Sequence, residues 1–129
     1  MLRMFEGCSS LKEINLSNFN NNNLMDIKFM FKECSSLEEL NLSNFNTSIA
    51  LNIEGMFYGF SSLKKLNISN FKTKFVFNFE GMFFGCSSLQ ELDLYNFIII
   101  KGANMKDMFT GCSEELKNKI KQQNKDIKI

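Results

Sequence analysis

The most reactive side chains in this sequence are four cysteines, Cys8, Cys34, Cys86 and Cys112. Thiols at fixed spacing can bind metal, form disulfides or attack as nucleophiles. These lie 26 residues, or a multiple of 26, apart. That interval fits no zinc pattern, and the chain has no His to supply imidazole ligands or to activate a thiol as base. Phe60 holds the remaining place in the same column. A position that accepts Phe for Cys is an apolar core position, where a free thiol packs as a small hydrophobe. Neighbouring thiols, Cys8–Cys34 or Cys86–Cys112, could pair in an oxidising compartment, but side chains stacked in parallel rarely offer the disulfide dihedral.

Other chemistry is thinner. Glu91 and Asp93 are a carboxylate pair, but their positions two apart read as solvated charge. No metal cluster or phosphate loop accompanies them, so the expectation is no enzyme, no cofactor and no metal. Asn15, Asn41 and Asn67 each open an Asn-x-Ser glycosylation sequon, as does Asn46-Thr47-Ser48. The first three recur as by-products of a repeat, at positions where sugar would block a sheet face. The Phe columns (Phe5, Phe31, Phe57, Phe83, Phe109, and Phe19, Phe45, Phe71, Phe97) lack interleaved Arg or Lys, which makes them packing rather than base-stacking platforms. With 15 Lys+Arg against 14 Asp+Glu, no electrostatic footprint of a nucleic-acid binder exists.

The elements that must position these residues come from one repeated sentence. Met4, Met30, Met56, Met82 and Met108 fall 26 residues apart without slippage, which marks stacked supersecondary units. Leu11-x-x-Ile14-x-Leu16-x-x-Phe19 returns as Leu37, Leu40, Leu42, Phe45, then Leu63, Leu66, Ile68, Phe71, then Leu89, Leu92, Leu94, Phe97. L-x-x-L-x-L predicts a strand that buries alternate residues against its neighbour. Leu24, Ile27, Met30 and Phe31, repeated by Val76, Phe79, Met82 and Phe83, have the spacing of a helix face of two or three turns. Gly7, Gly59, Gly85 and Gly111 suit a left-handed C-cap, and Glu33 in the second copy predicts a less clean helix end. Asn18, Asn44, Asn70 and Asn96 are expected to bond the backbone of the next coil.

The expected fold is therefore an α/β solenoid: a leucine-rich-repeat-like stack of about four 26-residue strand–turn–short-helix coils with a C-terminal capping helix. Residues 4–112 form the stack, with repeats starting at 4, 30, 56 and 82 and a partial one at 108. Residues 113–129 form the capping helix and tail. Ser113 is its N-cap, with Glu114 and Glu115 in the first turn.

The string M-F-x-x-C-S-S-L-x-x-L-x-L-S-N-F resembles the BspA-like leucine-rich repeat of surface proteins, over Met4 to about Ser113. That resemblance implies a solenoid linked with adhesion and protein binding, a cell-surface or extracellular setting, and no catalytic residues. Phe60 for Cys, Tyr95 for Ser and Ile98-Ile99-Ile100 for the polar turn depart from the pattern. The N-terminus has no apolar h-region of a signal peptide, and no apolar run reaches the ~20 residues of a membrane span.

Two surfaces are candidates for contact. Outward strand residues would form a concave face of Glu13, Asn15, Ser17, Glu39, Asn41, Ser43, Lys65, Asn67, Ser69, Glu91, Asp93 and Tyr95, with Tyr95 as its aromatic anchor. Ile98, Ile99 and Ile100 form an apolar patch where the other copies carry Asn20-Asn21-Asn22, Asn46-Thr47-Ser48 and Lys72-Thr73-Lys74, all expected to be wet. The C-terminal tail is expected to fold over that patch. The first coil lacks a cap, so its edge invites pairing. The functional expectation is a non-enzymatic protein-binding repeat scaffold, adhesin-like, acting through the concave face. The alternative is a structural self-assembly module, or the C-terminal part of a longer array, stacking through the N-terminal edge. Neither nucleic-acid binding nor direct membrane insertion is expected, and the partner and compartment are not written in these residues.

Overall fold

In the computed structural model, which describes residues 2–129, residues one repeat apart lie side by side in parallel. Regular secondary structure is sparse. Strands β1 (Glu39–Asn41) and β2 (Lys65–Asn67) pair in parallel, with Leu40 opposite Leu66. One helix, α1, spans Glu114–Gln123. Isolated parallel bridges join Asp26 to Asn52, Asn52 to Asn78 and Asn78 to Asn104.

This corrects the expected architecture. The molecule is not an α/β solenoid of four strand–turn–helix coils: two three-residue strands and a single terminal helix replace the four strands and the row of short helices. The reason lies in where the amide protons go. Met30, Lys32 and Cys34 donate to carbonyls three residues back (Ile27, Phe29, Phe31), as in turns. Phe29, Phe31 and Glu33 donate instead to Glu54, Met56 and Tyr58 of the next repeat, at 2.8, 3.2 and 2.7 Å. A helix needs every amide for its own ladder, and here alternate amides leave for the neighbouring copy.

Left-handed residues four apart make these turns. Gly55 and Gly59 have φ of 54° and 77°, and Gly81 and Gly85 have 56° and 72°. In the second repeat the same places are taken by Phe29 (φ 55°) and Glu33 (φ 63°). Glu33 thus keeps the shared turn geometry rather than fraying a helix end, as its type had suggested.

Between these turns runs a continuous core. Phe31, Phe57 and Phe83 are fully buried, and ring stacking runs from Phe5 to Phe109 at centroid separations of 5.2, 6.2, 5.7 and 5.3 Å. Stacked rings gain dispersion with each added copy, which explains why Phe recurs at one column. The Leu37, Leu40 and Leu42 set and its counterparts in the next two repeats are buried beside it. In the first repeat the equivalents Leu11, Ile14, Leu16 and Phe19 are only half-buried.

The cysteines belong to this core. Cys34, Cys86 and Cys112 are buried, and each Sγ donates to the carbonyl of a Phe in the preceding repeat: Phe5, Phe57 and Phe83, at 3.1, 3.2 and 3.2 Å. All four thiols are free.

The polar turns are wet at their outer positions (Asn20, Asn22, Asn46, Ser48, Lys72, Lys74) but dry at the middle one. Asn21, Thr47 and Thr73 are buried, and each bonds twice to the backbone of the next repeat. Asn21 donates to the Asn46 carbonyl and accepts from its amide. Thr47 does the same with Lys72, and Thr73 with Ile98. The column therefore works as a side-chain strand edge, joining repeats where the backbone has turned away.

Helix α1 closes the last repeat. Ser113 Oγ accepts from the Leu116 amide, and Leu116 and Ile120 are buried. Gln123 accepts from the Leu94 amide and donates to the Leu92 carbonyl, while the Asn124 amide donates to the carbonyls of Leu94 and Phe97. Two side-chain amides thereby supply bonds that a further extended segment would otherwise make.

Candidate functional site: a charged groove across the repeats

The L-x-x-L spacing leaves two consecutive residues between buried leucines, and both turn outward. Strict alternation from the leucines picks out only the second, so Lys12, Glu38, Lys64 and Gln90 escape a strand-pattern reading. Together with Glu13, Glu39, Lys65 and Glu91 they border an open groove of about 1370 Å³, floored by Ile14, Leu40, Asn41, Leu66 and Asn67. The signal that could have found them is the two-residue gap itself.

Parallel register fixes the charges. Lys64 Nζ lies 2.7 Å from Glu38 and Lys65 Nζ 2.7 Å from Glu39, each one repeat away. The bond from Lys64 holds the Glu38 carboxyl below its usual pKa, and the bond to Glu39 raises that of Lys65. Both pairs are exposed, so salt screens them and they add little to stability.

Of the residues expected to face outward together, Glu13, Glu39, Asn41, Lys65, Asn67 and Glu91 line this groove. Asn15 and Ser17 lie beyond it, where they border a smaller depression with Asn41, Ser43 and Asn44. Ser69, Asp93 and Tyr95 lie outside both, although Tyr95 is 67% exposed. The Asn column has a local job. Asn15, Asn41, Asn67 and Asp93 accept from the amides of Ser17, Ser43, Ser69 and Tyr95 at 3.0–3.2 Å, ending the extended run in a side-chain-closed turn. The column Asn18, Asn44, Asn70 and Asn96 does not bond forward as expected. Among the described residues only Asn70 makes such a contact, backwards to the Ser43 carbonyl at 2.8 Å.

The triple isoleucine divides. Ile98 is exposed, whereas Ile99 is half-buried and packs on the core. Ile99 sits in the Asn21–Thr47–Thr73 column, where no later copy remains to be bonded. An apolar side chain suits that terminal place.

The three buried thiols are poor reagents in this setting. Burial, helped by the neighbouring Cys8, pushes the Cys34 pKa to about 11, burial pushes Cys112 to about 11, and Cys86 moves further the same way. Among the described residues no group of three His, Cys, Asp or Glu is placed to hold a metal ion. Among the described residues no helix is long and apolar enough to cross a membrane.

These features define a repeat protein whose parallel 26-residue units present a polar groove. The family described as "Mycoplasma protein of unknown function, DUF285" matches residues 1–125, and the chain belongs to that family. No curated protein and no solved structure matches it.

Proposed function

We propose that this chain is a non-enzymatic protein-binding scaffold of the BspA-like surface-protein kind, receiving its partner in the charged groove. The observation that supports this reading is the groove itself: two ion pairs between adjacent repeats, each 2.7 Å long, beside an open groove of about 1370 Å³. Charges of both signs at fixed places give specificity and orientation more than raw affinity. The resemblance of the repeat string to BspA-like surface proteins supports a surface setting. Immobilised chain should retain a defined protein from a host-surface extract, and Lys64→Glu with Lys65→Glu should abolish retention without altering the fold. Equal retention by the double variant would sink this reading.

A second reading is self-assembly through the N-terminal edge. The carbonyls of Met30, Met56, Met82 and Met108 accept from Phe amides of the preceding repeat. Among the described residues the Met4 carbonyl has no such donor, and Leu2 and Met4 are exposed beside it. Light scattering over a range of concentrations tests this, and a monomer throughout would exclude it.

A further inference from the structure

A second face differs from the groove in chemistry. Leu51 donates to the Met25 carbonyl at 2.8 Å and Phe77 to the Leu51 carbonyl at 3.0 Å, so Met25, Leu51 and Phe77 stand in a row across three repeats. Side chains alternate along each run. Ala50 and Val76 enter the core, while Ile49 and Leu51, then Phe75 and Phe77, point outward. Met25 is 58% exposed and the two Phe residues 52% each. Rings this exposed on a backbone this well bonded are not core residues that have slipped.

Charge on this face is one-sided. Residues 20–25, 46–51, 72–77 and 98–103 contain none of the chain's 14 acidic residues, yet carry Lys72, Lys74 and Lys101, all exposed. The Lys74 ammonium sits 5.4 Å from the Phe75 ring centroid, so cation and ring project together. The nearest acids in sequence turn to other partners. Asp26 accepts from the Lys28 amide, Glu54 accepts from the Asn78 side chain, and Glu80 accepts from Asn104 and pairs with Lys106.

We propose that this face docks on the surface of an anionic lipid bilayer, the apolar row entering the headgroup boundary and the lysines contacting lipid phosphates. Protruding apolar side chains flanked by cations and free of carboxylates are the pattern of interfacial binding. Lysine stems extend to keep ammonium groups at the headgroups while rings sink below. A second copy of the chain is a poorer occupant, since two-fold pairing would set lysines against lysines. Contact is confined to the interface, since no described helix is long and apolar enough to span.

The chain has no Trp, so Phe75→Trp gives a single fluorescent reporter. With vesicles of equal parts phosphatidylcholine and phosphatidylglycerol, its emission shifts to the blue and the chain sediments with the lipid. Binding is weak on phosphatidylcholine alone and falls with added salt. In the natural chain, Phe75→Asn (the residue already used at Asn23) with Phe77→Ser abolishes sedimentation, and Lys72→Glu with Lys74→Glu lowers the bound fraction by about tenfold or more. Circular dichroism on each variant separates lost binding from lost fold. The proposal is overturned if the natural chain ignores anionic vesicles, or if binding survives the Phe changes. It is also overturned if those changes dissolve a protein dimer seen by light scattering, which would assign the face to protein contact.

Discussion

Thr47 and Lys72 exchange two hydrogen bonds: the Thr47 hydroxyl donates to the Lys72 carbonyl at 3.1 Å and accepts from the Lys72 amide at 2.7 Å. One side chain thus does what two backbone groups do in a parallel ladder. Thr73 repeats this with Ile98. Thr73→Val keeps the shape and removes both bonds, leaving a part-buried amide and carbonyl unmet. The expected loss is about 1–3 kcal/mol in urea unfolding. Thr47→Ser, which keeps the hydroxyl, should cost less than Thr47→Val. A larger cost for Thr47→Ser than for Thr47→Val would show that the methyl, not the bond pair, holds the repeats together.

The left-handed turns make a paired prediction. A β-carbon added at Gly111, where φ is 83°, would come within 3.1 Å of the Gly85 backbone. Gly111→Ala should therefore destabilise by about 1–2 kcal/mol from the left-handed conformation alone, and by more if the backbones cannot part. Glu33 already occupies a left-handed position, φ 63°, as a non-glycine. Relief of strain, less the entropy glycine adds to the unfolded chain, makes Glu33→Gly neutral to stabilising, by up to about 1 kcal/mol. A loss for Gly111→Ala and none for Glu33→Gly is the check, read as melting temperatures under one buffer.

Burial of the thiols predicts a pH effect. Cys34 and Cys112 are raised from 9.0 to about 11, so the folded chain holds protons that the unfolded chain releases between those values. Stability is unaffected below pH about 9 and falls as pH rises towards about 11. Lysine titration overlaps that window, so the test is a comparison. The fall in urea midpoint should be shallower in a Cys34→Ala, Cys112→Ala variant than in the natural chain.

Asn124 donates to the carbonyls of Leu94 and Phe97 at 3.1 and 2.9 Å, tying the segment after α1 to the last repeat. Asn124→Ala should cost about 1–3 kcal/mol and speed amide exchange around residues 92–97 before that of the central repeats. Uniform acceleration along the chain would mean instead that the end cap is not a separate unit of stability.

Much of the packing was legible in the sequence, as was the C-terminal helix with its Ser113 cap, whereas the short helices expected within the repeats were not. The 26-residue interval and the buried Met, Phe, Leu and Cys columns follow from side-chain polarity repeated in register. The helix expected from Leu24, Ile27, Met30 and Phe31 fails because successive four-residue turns return side chains to one side as a helix does. The distinguishing sign was the glycine pair four apart in E-G-M-F-Y-G and E-G-M-F-F-G, at Gly55 and Gly59, then Gly81 and Gly85. Two left-handed residues so close cannot sit inside one helix. Asn21, Thr47 and Thr73 were misread as wet because polarity alone does not reveal a backbone partner 25 residues away. In the groove, Lys12, Glu38, Lys64 and Gln90 escape a strand-pattern reading because strict alternation does not hold across the two-residue gap of L-x-x-L.

Site-specific photo-crosslinking tests the central claim, that the charged groove receives a protein, most directly. A photoreactive residue replaces Asn67 on the groove floor in one variant and exposed Glu33, outside the groove, in another. Incubated with the same host-surface extract, the variant at position 67 should give a discrete protein adduct, lost when Lys64 and Lys65 are both changed to Glu, while the variant at position 33 gives none. Adducts at both positions alike, or none at 67, would contradict the account.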